Sequence, residues 1–442
     1  FIIFTAPVFL LLRSLGHNPH TMAMERKKFI QQAGAGVIAA MLPIAAKAGT
    51  CFDDSDFGGE GAPDDEAYWK KIARKYYHLP GDYINLENGY YGLMAKPVEE
   101  AFLNHVKRAN AEGPKFARKT FPALSADIRK QLAAFLQVSD EEILITRNAT
   151  EALNIAIQGY PFKPGDEVLI NQLDYFSMVE SFRMLEKRGR IAVKTFDMPL
   201  LPADEDAIVD EYRKAISEKT RVILLTHVSN INGLIIPVAR IAAMAKQKGI
   251  DCITDSAHAL GQIPFSLPEL GSDFVGMNLH KWIGNPLGAG VLYVRKERIR
   301  EMSMLFGDVN SAEDSISKLG HFGTTPFPVI MTIPDSLAFH KQMDVEKISK
   351  RLHYLKSTWI QVLKDIPAVE IVSPADQTCA IASFRIRDKK SSDVADYLFR
   401  EHQILTVGRA LGTQGCVRVT PAVFTSGKEV QKFIEAVKKY VG

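Results

Sequence analysis

Four polar clusters in this sequence each follow a short, largely apolar run. They are Arg147-Asn148-Ala149-Thr150-Glu151, His227-Val228-Ser229-Asn230-Ile231-Asn232-Gly233, Asp255-Ser256-Ala257-His258 and Asn278-Leu279-His280-Lys281. Their residue types suit one kind of chemistry. A lysine condenses with an aldehyde to form a Schiff base. An aspartate keeps a pyridine nitrogen protonated, which turns the ring into an electron sink. A helix start with a Thr hydroxyl and free N–H groups takes a phosphate dianion. Pyridoxal 5'-phosphate (PLP) needs all three together, and these clusters supply them if the fold gathers them in one pocket.

The elements around the clusters point to such a pocket. Runs suited to strands fall at 143–146, 167–170, 191–196, 222–226, 252–254, 274–277 and 291–294, with helical patterns at 150–158, 177–187, 204–217 and 238–248 between them. Alternation of this kind predicts βαβ units and a mostly parallel seven-stranded sheet covered on both faces. Ligands of such α/β sheets bind at the carboxyl ends of the strands, where the clusters stand. Three further helices are expected at 64–77, 97–110 and 125–136. A long helical stretch at 335–364, strands near 380–386 and 416–420, and helices near 392–401 and 427–440 suggest a smaller α+β domain. The expected organisation is an upstream signal segment at 1–48, a linker at 49–63, a large domain at 64–334 and a small C-terminal domain at 335–442. The N-terminal helices are expected to be shared partly with the small domain.

The text TDSAHALGQIPFSLPELGSDFVGMNLHKWIGNPLGAGVLYVR closely resembles the class V aminotransferase family of fold-type I PLP enzymes. The likeness runs over roughly residues 81–440. It implies a PLP fold-type I architecture and an enzyme that acts on an amino acid through a Lys281 aldimine and a quinonoid intermediate. Asp255 resembles the partner of the pyridine nitrogen. His258, where desulfurases have Gln, resembles the residue of the isopenicillin N epimerase-like and aminotransferase-like branch, which implies a place near the cofactor's phenolic oxygen or the lysine. Ala149 and Thr150 match the phosphate-binding helix start, Tyr175 an aromatic residue stacked on the ring, and Asn230 a ligand of the phenolic oxygen. Asn278 and His280 match cofactor ligands near the phosphate or the lysine. Gly323 and Thr324, in HFGTTPFP, resemble a turn that reaches the phosphate of a neighbouring subunit, so the resemblance implies a homodimer with shared sites. Arg418 matches the arginine that pairs with the substrate carboxylate, a role its bidentate fork suits, with Arg409 as a second candidate.

The reaction is expected to be of the aminotransferase or epimerase type. The alternatives are a desulfurase-like C–S elimination and, in another class, a PLP-fold binding protein without turnover. Desulfurases carry a nucleophilic cysteine on a loop before the carboxylate-binding arginine. Here that loop, TVGRALGTQG, has none, and Cys416 lies two residues before Arg418. A nicotinamide dehydrogenase is not supported, because no G-x-G-x-x-G follows a strand.

Composition narrows the partners. The 442 residues carry a net charge of +3, with 46% hydrophobic and 24% charged residues, which fits a globular chain and gives no footprint for nucleic acid. The four cysteines form no C-x-x-C pair, and no metal site is expected. Near the N-terminus, Arg26-Lys27-Lys28-Phe29-Ile30, an apolar segment at 33–46 and Ala46-Lys47-Ala48 together resemble a twin-arginine-like export signal with a cleavage site. The expected location is periplasmic, with cytoplasmic as the alternative, and no stable membrane span is expected in the mature form.

Overall fold

The computed structural model describes residues 52, 54–59, 61–307 and 311–442, so the export signal expected at 24–48 lies outside the described residues. The described residues form three sheets. The largest has seven strands in the order β2-β8-β7-β6-β5-β3-β4. After β1 (Ile84–Asn85), these are β2 (Ile143–Thr146), β3 (Glu167–Asn171), β4 (Ala192–Phe196), β5 (Thr220–Thr226), β6 (Asp251–Asp255), β7 (Phe274–Asn278) and β8 (Gly290–Val294). Only β8 runs against the others, pairing antiparallel with β2 and β7. Every residue of β7 and β8 is buried, as both faces of a sheet sandwiched between helices require. One face carries Leu169, Ile223, Cys252 and Val275 into a core with the helices Phe121–Leu136 and Val238–Gln247. The other carries Val168, Leu224, Ile253 and Phe274 against the helices Ala149–Gly159 and Phe176–Lys187.

The C-terminal part is built on an antiparallel sheet in the order β12-β13-β10-β9. Its strands are β9 (Val369–Ile371), β10 (Ala382–Ile386), β12 (Val407–Arg409) and β13 (Cys416–Val419), with β11 (Ile404–Leu405) just before β12. Trp359, Phe384 and Phe433 fill the core beneath it. β1 pairs in parallel with β11, so the segment after the helix Glu66–Tyr76 is tied to this part.

Three expectations are corrected. The helical stretch 335–364 is two helices, Ile333–Met343 and Val345–Leu363, parted at Asp344 with φ 64°. The Asp344 carboxylate accepts a hydrogen bond from Glu346 N at 2.9 Å and caps the second helix, which α-periodicity alone does not reveal. The TVGRALGTQG stretch is not wholly a loop, because Val407–Arg409 forms β12 against β13. The described part of the acidic 49–63 stretch is packed rather than free. Phe57 is buried and stacks on Tyr76 with ring centroids 5.1 Å apart, while Asp56 accepts from Tyr76 Oη at 2.7 Å. Among the described residues no helix is long and apolar enough to cross a membrane.

Candidate active site

The carboxyl ends of β2, β5, β6 and β7 place the four polar clusters side by side. β7 ends at Asn278, and the chain turns at once through His280 and Lys281. The turn is closed by Gly284 N donating to Lys281 O at 3.1 Å and Asn285 N donating to Leu279 O at 3.0 Å. Gly92 presses on this turn from the N-terminal segment, with its N–H donating to His280 O at 3.0 Å. A Cβ at Gly92 would stand 2.0 Å from Lys281 O, so only glycine fits that approach.

Lys281 Nζ lies 3.0 Å from His258 Nε2 and makes no ion pair with the described residues. Burial pushes its pKa from 10.5 down to about 7, against the pull of Asp255 and Glu87 and with help from the positive charges of Arg418 and Arg409. The same burial, with the cations Lys281, Arg418 and Arg409, pushes the His258 imidazole well below its ordinary value and keeps it neutral. Its Nδ1 is buried with no hydrogen-bond partner among the described residues. Asp255 closes β6. One carboxylate oxygen accepts from Ala257 N at 2.9 Å, and burial raises the group's pKa against that bond and the nearby Lys281. No cation stands within ion-pair distance of Asp255 among the described residues, so a buried carboxylate here lacks a positive partner.

At the end of β2, Asn148 caps the helix Ala149–Gly159 by accepting from Glu151 N at 2.8 Å. The close fit of β8 beneath this cap again depends on glycine: a Cβ at Gly290 would stand 2.5 Å from the Asn148 backbone. Ala149 N already donates to Asn278 Oδ1 at 2.8 Å, which locks the helix start to β7. Thr150 is exposed at the helix start. His280 is turned by a 2.8 Å contact between its Nδ1 and Ala289 O. Tyr175 sits half-buried at the head of the helix Phe176–Lys187, its backbone N–H 3.4 Å from Thr226 Oγ1.

Two arginines approach from the small sheet. The register pairs Val407 with Arg418 and Arg409 with Cys416, so Arg409 and Arg418 share one face of β12–β13. Arg418 is buried and donates from Nη1 to Asn230 O at 3.0 Å. The Asn230 Oδ1 atom is buried without a partner among the described residues. Thus Lys281, His258, Asp255, Asn230, Arg418 and Arg409 form one electrostatic cluster, with Asn278 and Ala149 joined at its edge. Gly323 and Thr324 do not join it. They form an exposed turn, with φ 70° at Gly323 and open space where its Cβ would be.

Sequence reasoning missed two residues. Glu87 pairs with both Arg418 and, at 3.3 Å, Arg409. Asp174, next to Tyr175, joins two strand ends by accepting from Asn171 N at 2.8 Å and Thr226 N at 3.1 Å. Burial raises the Asp174 pKa to about 7. The sequence signal for Glu87 is an acidic residue in an apolar and Gly-rich segment, but its partners lie more than 300 positions away.

A family model described as aminotransferase class-V matches residues 98–433. A probable cysteine desulfurase of Mycolicibacterium paratuberculosis is 24% identical over 336 residues, 71% of this chain and 48% of that protein, so the chain spans about half of that relative's length. The isopenicillin N epimerase of Streptomyces clavuligerus is 24% identical over 398 residues, 85% of this chain and 99% of that protein. Among solved structures, the cysteine desulfurase of Thermococcus onnurineus superposes with a TM-score of 0.74 at 22% identity, covering 84% of this chain and 98% of the other. A C-DES mutant with glycine covalently linked to its PLP cofactor gives a TM-score of 0.72 at 20% identity, covering 80% and 96%.

Proposed function

Because this chain belongs to the class V aminotransferase family of PLP-dependent enzymes, we propose that it acts on an amino acid whose carboxylate binds Arg418. The reaction breaks the Cα–H bond and ends in amino transfer or epimerisation. The observation that carries this reading is the desolvated Lys281 amine, 3.0 Å from a neutral His258, beside a buried carboxylate that lacks a cation. The residues fit the cofactor. Asp255 would hold a protonated pyridine nitrogen, which supplies the positive partner the carboxylate lacks. The exposed Thr150 and the start of its helix would hold the phosphate. The partnerless Asn230 Oδ1 and His258 Nδ1 are buried polar atoms of the kind a bound group satisfies. Tyr175, whose N–H lies 3.4 Å from Thr226 Oγ1 at the end of β5, would offer a ring to the cofactor. When bound, PLP supplies an aldehyde that condenses with amines and a ring that takes up the electrons of a bond broken at Cα.

The protein's own part follows from charge and proximity. Lys281 Nζ, with a pKa near 7, is largely unprotonated at slightly alkaline pH, so it can attack an aldehyde and take up a proton. His258 Nε2 lies within hydrogen-bond distance of that atom and, being neutral, can accept a hydrogen bond from the ammonium form or donate one to the free amine, which holds Nζ in place. Arg418 fixes the carboxylate end and so aims the Cα–H bond.

The pH dependence follows with a definite sign. Only the unprotonated amine attacks, so the rate at which cofactor-free protein takes up PLP should rise about tenfold per pH unit up to about pH 7 and level off above it. Stopped-flow absorbance measures this. A rate still climbing at pH 10 would mean that the amine keeps its ordinary pKa.

A C–S elimination is the second reading, favoured by the desulfurase relatives. A persulfide carried on the protein's own thiol finds less support. Among the described residues, Cys252, Cys379 and Cys416 are all buried, and burial raises the pKa of each thiol. Amino-acid donors and keto acceptors should be screened with pyruvate, ammonia and sulfide release followed together. Amino transfer or racemisation without sulfide supports the first reading, and sulfide with pyruvate from cysteine or cystine supports the second. We also propose a homodimer in which the exposed Gly323-Thr324 turn serves the neighbouring site, which sedimentation would refute by showing an active monomer. Export through residues 24–48 remains our reading of location, and an uncleaved, wholly cytosolic chain on N-terminal sequencing would refute it.

A further inference from the structure

Arg418 and Arg409 do not meet an arriving substrate alone, because Glu87 is already between them. Its Oε1 contacts Arg418 Nη2 and stands 3.3 Å from Arg409 Nη2, while Oε2 lies 3.5 Å from Thr420 Oγ1. The backbone that carries Glu87 is held on every side. Ile84 pairs with Ile404, Glu87 bridges Thr420, Glu87 N donates to Asn85 Oδ1 at 3.0 Å and Gly89 N donates to Thr420 Oγ1 at 3.1 Å. Space is tight as well, since a Cβ at Gly89 would stand 3.0 Å from Arg418 Nη2. Glu87 is therefore a fixed counter-charge and not a mobile plug. Two guanidiniums against one carboxylate leave a single positive charge on this face, and each guanidinium keeps a buried Nε without a partner among the described residues.

We propose that Glu87 is a specificity-determining residue, which sets the pocket to take an amino acid with one carboxylate and to turn away acidic side chains. The inference rests on the reading of Arg418 as the carboxylate-binding residue. Its physical basis is that a fixed charge acts on a ligand in proportion to the ligand's own charge. Removing the Glu87 charge adds one positive charge to the pocket, so a dianion gains about the square of what a monoanion gains. Discrimination by an opposing charge is a standard route to specificity.

The test is equilibrium binding of propionate and of succinate to the PLP-loaded enzyme, by calorimetry at fixed pH and ionic strength. Glu87→Gln keeps the shape and removes the charge. It is expected to tighten propionate roughly tenfold and succinate roughly a hundredfold. Arg409→Gln removes a half-exposed positive charge and leaves the Arg418–Glu87 pair intact. It is expected to act with the opposite sign, weakening succinate by about the square of its effect on propionate, which checks that the pocket reads ligand charge, while Glu87→Ala, which also removes the carboxylate, carries the test if Glu87→Gln does not fold. Equal gains for the two anions in Glu87→Gln would make Glu87 a mere competitor for Arg418 and overturn the proposal, as would no gain for either. Arg418→Gln separates the two ideas. If it weakens both anions while the charge variants leave their ratio unchanged, only the Glu87 inference falls. If it leaves both unchanged, the carboxylate-binding reading falls as well.

Discussion

Lys281→Ala is expected to lower turnover by at least ~10³-fold, because it removes both the amine we propose to hold the cofactor and the group we propose to move the proton. Lys281→Arg should fare no better, since a guanidinium stays protonated and cannot attack an aldehyde. A second signature separates this loss from unfolding. The folded pKa of Lys281, about 7, lies below its unfolded value near 10.5. Between these values the unfolded chain binds more protons than the folded one, so the stability of the cofactor-free protein should rise with pH across that window. Lys281→Ala removes this term. Its cofactor-free form should melt no lower than wild type at pH 7 and show a flatter rise towards pH 10. Normal activity in the variant, or a melting temperature far below wild type, would contradict the assignment.

Arg418→Ala is the second large effect. The guanidinium is buried and meets Asn230 O and Glu87. Truncation should raise KM for carboxylate-bearing substrates by a factor corresponding to about 2–5 kcal/mol, the range for removing one partner of a buried charge pair. Activity towards an amine that lacks the carboxylate should be the same before and after, and bound PLP should be retained. Steady-state kinetics with matched amino-acid and amine substrates read both. An unchanged KM for the amino acid would place the carboxylate elsewhere.

Much of the fold was legible because the large sheet writes its pattern locally. Short apolar runs end in polar residues, and the runs at 143–146, 222–226 and 274–277 differ from the observed strands by no more than two residues at either end. Asp255, His258, Asn278 and Lys281 stand next to those ends, so their meeting followed from the rule that ligands gather at strand carboxyl ends. What was not legible depends on contacts between distant parts of the chain. β1 and β11 have two residues each and are strands only because they pair with each other. β12 was hidden because Val407–Arg409 has too few residues to show a period. The break at Asp344 rests on a left-handed residue that caps the next helix, and α-periodicity passes across it. Glu87 acts through partners set by tertiary packing, and Asp174 joins its local partner Asn171 to Thr226, 52 positions away, so no spacing in the chain announces either role.

The central claim is that Lys281 is the residue to which PLP attaches. The most direct measurement is to reduce the PLP-loaded enzyme with borohydride, which fixes the cofactor to whichever amine holds it, and to map the labelled peptide by mass spectrometry. The account predicts a single pyridoxyl group on Lys281, in the stretch between His280 and Trp282. Label on any other lysine, with Lys281 unmodified, would contradict it.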